Sequence, residues 1–273
     1  MRAAERLGLC PELIDRDAIA RLVEFDALFI RETTNVNHPS YRCARKAEAE
    51  GLVVIDDPLS ILRCNNKVYL AEMLRRHRLP TPQTFTVHHR NRQEVLSRLQ
   101  APIVLKQPDS AFSKGVIKAE TTADFMRITD ELLEKSALII AQEYLPTSFD
   151  WRIGIIDRRP LFACKYYMAP GHWQIYRREG GQTLAGDYEA VALERVPARV
   201  LRLALKAAEP VGAGFYGVDI KEAGGRLAVI EINDNPSVES EVEDGVAGAE
   251  LYLTVMRVFL ERIERRKTPR CRS

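Results

Sequence analysis

Near its C-terminal end the chain has a pair of alternating segments, GVDIKEAGGRLAVIEINDNPS, residues 217–237, that limits how it can fold. Apolar and polar residues alternate on both sides of a Gly-Gly pair, which predicts two antiparallel strands joined by a tight turn. If the even-numbered residues face a core, Val218 lies opposite Ile232. In the same register, Ile220 lies opposite Ile230.

The other face of this predicted hairpin carries two carboxylates and an amide. Asp219 lies opposite Glu231, and Asn233 shares their face because strand side chains alternate. Opposed like charges repel, so the pair needs a counter-charge. Carboxylate and amide oxygens suit Mg²⁺, which takes one or two carboxylates together with phosphate oxygens of a substrate. A solvated acidic hairpin face is the alternative that this segment alone leaves open.

The bulk composition excludes several classes of protein. The 273 residues are 46% apolar and 29% charged, enough for one large domain or two modest ones. A formal net charge of +2 makes no argument for a nucleic-acid or anionic-membrane partner. No apolar run reaches about 18 residues, and the N-terminus lacks the apolar segment of a signal peptide. Five scattered cysteines without a CxxC pair favour reduced thiols, so we expect a cytoplasmic protein.

Short helical and strand-like segments alternate over the first 65 residues, which predicts a wound parallel sheet. The chain begins within a predicted helix, so we expect a shortened version of such a domain. The predicted strands are Glu12–Ile14, Ala27–Ile30 and Leu52–Ile55, and the predicted helices are Asp17–Val23 and Pro39–Glu50.

Beyond residue 65, helices and strands continue to alternate. Residues 169–187 are polar and contain glycine, which predicts a mobile loop, and we expect the basic tail 267–273 to be disordered. The predicted strands are Thr84–Val87, Ile103–Lys106, Leu138–Gln142 and a strand–turn–strand unit over Trp151–Met168; the predicted helices are Asn66–Leu79, one beginning at Thr122, Pro197–Glu209 and Glu250–Arg266.

Two lysines stand where a phosphate can bind. Lys67 opens a helix, whose N-terminus already favours anions, although an exposed lysine is the plain alternative. Lys106 ends an apolar strand and precedes the segment QPDSAFSKGV. Backbone N–H groups and hydroxyls of that segment can face a phosphate chain, and its candidates are Ser110, Ser113 and Gly115. The P-loop pattern is missing, and a surface turn is the alternative.

A third segment, QEYL, ends a buried strand. Its backbone N–H and C=O groups can face an adenine edge between apolar side chains, and its residues are Gln142, Glu143, Tyr144 and Leu145. Asp150, a few residues later, can accept hydrogen bonds from ribose hydroxyls. Taken alone, the segment is a strand leading into a loop.

These segments occur in one order, and in that order the chain resembles the ATP-grasp fold. More narrowly, it resembles RimK-like and glutathione-synthetase-like amino-acid ligases, over about residues 60 to 260. The segments that carry the resemblance are NNKVYLAEMLRRHRLPTPQT, VLKQPDSAFSKGV, AQEYLPTSFDWRIGII and FYGVDIKEAGGRLAVIEINDNPS.

The resemblance implies a fold class, α/β of the α+β ATP-grasp type. Two lobes with mixed and antiparallel sheets would clamp ATP, preceded by a partial Rossmann-like domain. The implied divisions are 1–65 for the partial domain, 66–265 for the ATP-grasp domain with lobes 66–145 and 146–265, and 266–273 for the tail.

The resemblance also implies a role for each candidate residue. Lys67 and Lys106 would contact the α- and β-phosphates, and the Ser110–Gly115 loop would close over the triphosphate. Residues Glu143 to Leu145 would hold adenine, and Asp150 or Glu143 the ribose. Asp219, Glu231 and Asn233 would bind Mg²⁺, with Mn²⁺ as a substitute.

The implied activity is that of an ATP-dependent carboxylate–amine ligase. A substrate carboxylate would attack the γ-phosphate to give an acyl phosphate and ADP, and an amine, such as that of an amino acid, would then form the amide. Arg152 and Arg177 are expected at the transferred phosphoryl group or a carboxylate, with ordinary surface arginines as the alternative. His172 and Trp173 are candidate substrate contacts, or residues of a loop exposed for other reasons. Cys164 is expected in the core.

Two departures from relatives bear on the substrate. The loop at 110–115 has one glycine where many relatives have several, and CKYYM stands where ligases that modify ribosomal proteins carry arginines. The second departure puts an acidic-peptide acceptor in doubt. A small-molecule or peptide carboxylate, an amine acceptor and a homo-oligomer are compatible with the resemblance. A phosphotransferase on the same fold and a catalytically silent nucleotide-binding regulatory module are the alternative functions.

Overall fold

A computed structural model of the protein describes residues 1–109, 115–179 and 182–267, without the side chains of residues 178 and 179. It confirms the predicted α/β architecture with antiparallel sheets. The α-helices are α1 (Arg2–Glu5), α2 (Pro39–Ala49), α3 (Pro58–Asn65), α4 (Lys67–Arg76), α5 (Arg92–Arg98), α6 (Thr122–Leu133), α7 (Ala198–Ala208) and α8 (Ala249–Lys267). None of these described helices has the length and apolarity that crossing a membrane requires.

The strands form two larger and two smaller sheets. They are β1 (Ala27–Phe29), β2 (Val53–Ile55), β3 (Thr84–Val87), β4 (Ile103–Lys106), β5 (Val116–Ala119), β6 (Ile139–Glu143), β7 (Phe149–Ile156), β8 (Arg159–Tyr167), β9 (Tyr176–Glu179), β10 (Gln182–Ala185), β11 (Tyr188–Ala190), β12 (Phe215–Ala223) and β13 (Arg226–Asp234).

The N-terminal part contains a two-stranded parallel sheet, β1 with β2, connected through α2. One expectation for this part is wrong: Glu12–Ile14 is not a strand, because no described strand lies beside it and Leu13 is 89% exposed. The helix predicted at Asp17–Val23 is present as a 3-10 helix, Arg16–Glu24, whose N-cap Asp15 accepts a hydrogen bond from the backbone of Asp17. The predicted domain boundaries remain predictions.

The four-stranded sheet has the order β3-β6-β4-β5 and one buried apolar face. Ile103, Leu105 and Ala141 pack on that face with residues of α5 and α6. The alternate residues of β4 and β6 therefore point to the opposite face, because strand side chains alternate. They include Lys106 and Gln142, and both line a cavity.

The five-stranded antiparallel sheet has the order β11-β8-β7-β12-β13. One face packs against α7, through residues such as Ile153 and Val218. On the other face, Ile156 and Phe215 pack in a cluster with residues of α8. Asp150 is six residues before Ile156 on β7, so its side chain points to that second face as well. It lies at the other end of the strand, where it lines the cavity.

The predicted C-terminal hairpin is present, with one irregularity. Val218 pairs with Ile232 and Asp219 with Glu231, as predicted, and the Gly-Gly turn adopts positive φ at both residues. The predicted pairing of Ile220 with Ile230 is wrong, because Ile220 pairs with Val229 across a bulge. The extra residue shifts Ile230 out of the core alternation, and its side chain lines the cavity.

Residues 169–187, predicted as an irregular loop, contain a β-hairpin. β9 and β10 pair antiparallel, from Tyr176 with Ala185 to Glu179 with Gln182. All four residues of β10 are exposed, so this strand has no buried face and leaves no apolar alternation in the sequence. The tail predicted at 267–273 begins inside α8, and its last six residues lie outside the described residues.

Candidate active site

A cavity of about 260 Å³ lies between the four-stranded and five-stranded sheets. It contains most of the side chains that the sequence analysis selected from segments far apart in the chain. The selected residues that line it are Lys67, Lys106, Gln142, Glu143, Tyr144, Leu145, Asp150, Arg152, Asp219, Glu231 and Asn233.

Arg152 provides the counter-charge that the acidic hairpin needs. It lies opposite Asp219 on the neighbouring strand β7. Its Nε and Nη2 atoms donate to Oδ1 and Oδ2 of Asp219, both at 2.7 Å, in a two-pronged geometry that fixes the carboxylate. Asn233 Nδ2 also donates to Asp219 Oδ2, at 3.2 Å. The predicted acidic face is therefore a charge-paired surface of the cavity.

Lys67 pairs with the second carboxylate. Its Nζ atom lies 2.7 Å from Glu231 Oε1, and both side chains are largely buried. Lys67 is the first residue of α4, and Asn66 caps this helix by accepting a hydrogen bond from the backbone of Tyr69. Burial alone would raise the pKa of Glu231, but the charges of Lys67 and Lys106 outweigh it and hold that pKa below its ordinary value. Glu231 is thus ionised in the cavity.

Lys106 differs from the other cations of the cavity. Only 7% of the residue is exposed, and within the described part of the chain it makes no ion pair. Its pKa is lowered to about 8, chiefly by burial; the positive charges of Lys67 and Lys221 act in the same direction, and the attraction of Glu231 opposes them. A bound anion would offset this cost, so Lys106 marks where the cavity is best prepared for negative charge.

Lys221 is a site residue that the sequence analysis missed. Its Nζ atom donates to Asp150 Oδ1 at 2.6 Å and to Thr147 Oγ1 at 2.7 Å. Burial raises the pKa of Asp150, and Lys221 opposes that rise. The signal was present in the spacing, because Lys221 follows Asp219 by two residues along the same strand.

The QEYL segment borders the cavity, although two of its side chains are already engaged. Glu143 Oε1 accepts from Arg226 at 2.8 Å, and Glu143 Oε2 accepts from the backbone of Gln83 at 3.0 Å. Gln142 donates to Thr84 Oγ1 at 3.0 Å. The backbone of this segment is therefore better placed than the Glu143 carboxylate to contact a ligand.

Trp173 closes one side of the cavity beside that segment. Its ring meets Tyr144 edge-on, with centroids 5.9 Å apart. Lys118 Nζ lies 4.7 Å from the Tyr144 centroid and 5.6 Å from that of Trp173. Trp173 lines the cavity, whereas its neighbour His172 does not. Of the two candidate contacts in this region, the structure places only Trp173 within the described cavity.

Several selected residues lie elsewhere. Arg177 is on β9 and is not among the described residues that line the cavity. Gly115 has φ +68 and lies against the side chain of Gln107, just outside the cavity lining. Ser110 and Ser113 lie outside the described residues. Cys164 is buried in the core as expected, where burial raises its pKa to about 12.

The far end of the cavity was not anticipated. Thr33 and Thr34 reach it from the N-terminal part, and Asn235 and Ser237 from the loop after β13. The threonines are about 200 residues away from that loop in sequence and belong to no regular element, so no local pattern could relate them. This end is lined mainly by hydroxyl and amide groups.

The cavity wall carries oxygen atoms that could bind Mg²⁺. No described group of three or more Asp, Glu, His or Cys residues can hold a metal by itself. Asp219, Glu231 and Asn233 nevertheless share one wall of the cavity, and their oxygens are the hard ligands that Mg²⁺ prefers. The residues fit a Mg²⁺ ion that takes its remaining ligands from bound phosphate oxygens and water.

Comparisons with known proteins agree with this arrangement. A family model described as a RimK-like ATP-grasp domain matches residues 64–251. A probable alpha-L-glutamate ligase of Vibrio vulnificus is 25% identical over 222 residues, which are 80% of this chain and 71% of that protein. One of Legionella pneumophila is 26% identical over 224 residues, 81% of this chain and 72% of its own length.

Solved structures share the fold at lower identity. D-alanine–D-alanine ligase from Bacillus anthracis complexed with ATP has a TM-score of 0.71 and 17% identity, covering 93% of this chain and 86% of that chain. A RimK domain ATP-grasp protein from Sphaerobacter thermophilus has a TM-score of 0.64 and 17% identity, covering 85% and 81%. Because the family model matches most of the length of this chain, the chain belongs to the RimK-like ATP-grasp family.

Proposed function

We propose that this protein is an ATP-dependent ligase that joins a carboxylate to an amine through an acyl phosphate. The observation that carries the proposal is the convergence, in one cavity, of Lys106, the Lys67–Glu231 pair and the Arg152–Asp219 pair. Membership in the RimK-like ATP-grasp family supports the same conclusion. A structural neighbour was solved as its complex with ATP, which supports ATP as the nucleotide.

The positive side chains would bind and orient the phosphates. Lys67 at the start of α4 and Lys106 at the end of β4 would contact the α- and β-phosphates. Arg152 would face the transferred phosphoryl group with the part of its guanidinium that Asp219 leaves open. Because phosphoryl transfer depends mainly on positioning and on charge stabilisation, no side-chain nucleophile is required.

Mg²⁺ is proposed as the metal, with Mn²⁺ as a substitute. Asp219, Glu231 and Asn233 would hold it, and when bound it would neutralise charge on the β- and γ-phosphates. The Arg152–Asp219 and Lys67–Glu231 pairs keep the ligand oxygens in place before the nucleotide arrives. Such preorganisation reduces the rearrangement needed at the moment of reaction.

The remaining contacts would select the base and the ribose. The backbone of Glu143 to Leu145 would face adenine, with Trp173 beside Tyr144 at the cavity wall. Asp150, held by Lys221, would accept from the ribose hydroxyls, because the Glu143 carboxylate is already bonded to Arg226. The scattered cysteines fit a reducing, cytoplasmic compartment. A homo-oligomer is part of the same proposal.

The proposal is tested by product analysis. The protein is incubated with ATP and Mg²⁺ and a panel of amino acids and short peptides, and the mixture is searched by mass spectrometry. We expect a new amide whose amount equals the ADP released. A stable phosphorylated product without a joined molecule would identify a phosphotransferase and contradict ligation. ATP binding without turnover on the whole panel would favour the regulatory module.

A further inference from the structure

One buried carboxylate joins the two strands that carry the candidate metal ligands. Asp56 follows β2 in the N-terminal part and is 1% exposed. Its Oδ1 atom accepts from the backbone N–H of Phe215 at 2.6 Å, and its Oδ2 atom accepts from the backbone N–H of Asn235 at 2.7 Å. Phe215 is the first residue of β12, and Asn235 directly follows β13.

These two N–H groups stand at the open end of the hairpin. The last pair of the β12–β13 ladder is Tyr216 with Asp234, so Phe215 and Asn235 are the next residues outward on each strand. Beyond that pair the ladder supplies no further bond between the two strands. The Asp56 carboxylate takes its place, and without it the buried N–H of Phe215 would lose its acceptor.

The surroundings are shaped to admit this carboxylate. A Cβ atom on Gly214 would lie 2.4 Å from Asp56 Oδ1, so only glycine leaves room at that position. Burial, followed by repulsion from Asp234, raises the pKa of Asp56 to about 8, and the two backbone N–H groups act against that rise. Both oxygens of Asp56 accept a backbone hydrogen bond, which an apolar residue of similar size could not do.

Other residues of the N-terminal part fix the same loop. Asn235 has φ +47, a left-handed conformation that is strained for most residues other than glycine. Its side chain accepts from Arg31 at 2.5 Å and donates to the carbonyl of Glu32 at 2.6 Å. Arg31 also donates to the carbonyl of Pro236 at 2.9 Å. The turn that follows β13 is therefore held from the N-terminal part at several points.

We infer that Asp56 is a positioning residue for the candidate metal ligands. By closing the open end of the β12–β13 hairpin, it sets where Asp219 and Asn233 stand in the cavity. Asn233 lies two residues before Asn235, and Asp219 four residues after Phe215. Asp56 thus acts on the active site from outside the described cavity lining. The inference rests on the proposed function, because it assigns those side chains to a metal.

The test compares metal binding in Asp56→Asn with metal binding in the wild-type protein. Binding of Mn²⁺ at saturating ADP is measured by electron paramagnetic resonance, and binding of ADP without divalent metal by calorimetry. Asn keeps the shape but places an N–H₂ group against a backbone donor. We expect the Mn²⁺ dissociation constant to rise about tenfold or more, as for other residues that orient metal ligands. Affinity for metal-free ADP should change less than about twofold, since Lys67 and Lys106 are untouched.

Two further variants separate positioning from general destabilisation. Leu22→Ala opens a space in the core of the N-terminal part and touches neither the hairpin nor the loop. It should lower the unfolding temperature and leave the Mn²⁺ constant unchanged. Arg31→Met removes two donors to the loop and should weaken Mn²⁺ binding in the same direction, by a smaller factor. If Asp56→Asn does not fold, Mn²⁺ binding by Arg31→Met tests the inference instead.

Each result has a distinct meaning. Unchanged Mn²⁺ binding in folded Asp56→Asn overturns the inference, as does unchanged binding in Arg31→Met if Asp56→Asn does not fold. An equal loss in Leu22→Ala overturns it too, because stability alone would then explain the effect. A wild-type protein that bound neither ADP nor Mn²⁺ would overturn the proposed function itself.

Discussion

The two sheets that enclose the cavity carry charge in different states. On the five-stranded sheet, charges are paired within the protein, as in Arg152–Asp219 and Lys221–Asp150. On the four-stranded sheet, Lys106 is buried and makes no ion pair in the described part of the chain. The charges of the five-stranded sheet are neutralised by direct ion pairs, whereas the charge of Lys106 is offset only in part, by the more distant carboxylate of Glu231. This contrast indicates that geometry and affinity for phosphate come from opposite walls.

The largest effect is expected from the paired wall. Asp219→Asn and Glu231→Gln each remove a candidate metal ligand and a carboxylate that pairs with a buried cation. We expect ADP release to fall at least about 100- to 1,000-fold, in line with the loss of one preorganised transition-state contact.

Steady-state ADP release measures this loss. Glu189→Gln is the matched control, because Glu189 is an exposed carboxylate on the same sheet that pairs with Lys165 at 2.8 Å. The control should keep wild-type turnover. Wild-type turnover in both Asp219→Asn and Glu231→Gln would show that these residues are not part of the active site. It would also contradict the role given to the five-stranded sheet.

The second effect concerns affinity. Lys106→Met keeps a side chain of similar length and removes the charge of the unpaired wall. Calorimetry should show ADP binding about 10- to 100-fold weaker, the range for a hydrogen bond to a charged group. Lys206→Met, an exposed lysine of α7, serves as the control and should bind ADP normally. Equal affinities in the two variants would place the phosphate elsewhere.

The third prediction follows from the pKa of Lys106. In the folded protein this pKa is lowered to about 8, from an ordinary value of 10.5. Below pH 8, Lys106 is protonated in the folded protein, and burial of its charge lowers the free energy of unfolding by the full amount. Between pH 8 and 10.5 this destabilisation decreases, because Lys106 loses its proton in the folded state before it does so in the unfolded state. Lys106→Met should therefore stabilise the nucleotide-free protein at pH 7, and the gain should shrink as the pH rises toward 10.

Thermal unfolding of both proteins at pH 7 and pH 9.5 measures that gain. Wild-type stability should increase, relative to Lys106→Met, across this interval. A difference in unfolding temperature that did not change with pH would mean that burial does not destabilise the charged form of Lys106. It would contradict the contrast between the two sheets.

The smallest effect is expected at the edge of the cavity. Trp173→Ala removes the ring that meets Tyr144 edge-on, a contact of about 0.5–1.5 kcal/mol. ATP affinity should fall by no more than about tenfold, and affinity for inorganic tripolyphosphate should not change. Equal losses for the two ligands would show that Trp173 supports the cavity rather than facing the base.

Periodic features were predictable from sequence. The alternation around Gly224 and Gly225 predicted the turn and the pairing of Asp219 with Glu231, because a strand with one buried face repeats every two residues. Lys106 was found because it ends an apolar strand. These inferences required only local pattern and the order of segments.

Features built from distant or irregular segments were not predictable. The bulge that displaces Ile230 falls in the apolar run Leu227–Ile230, and four apolar residues in a row do not indicate which of them leaves the core. Asp56 reaches the hairpin from more than 150 residues away, through hydrogen bonds to backbone atoms that no side-chain pattern records. The exposed strand β10 lacked the apolar face that would have indicated a strand.

In the proposed reaction, a carboxylate is phosphorylated in this cavity before an amine attacks it. The most direct measurement uses the carboxylate substrate found in the product screen, labelled with ¹⁸O on both oxygens. With ATP, Mg²⁺ and the amine, the released phosphate should carry one ¹⁸O atom and the amide should retain the other. Phosphate free of ¹⁸O, formed together with the amide, would contradict the account.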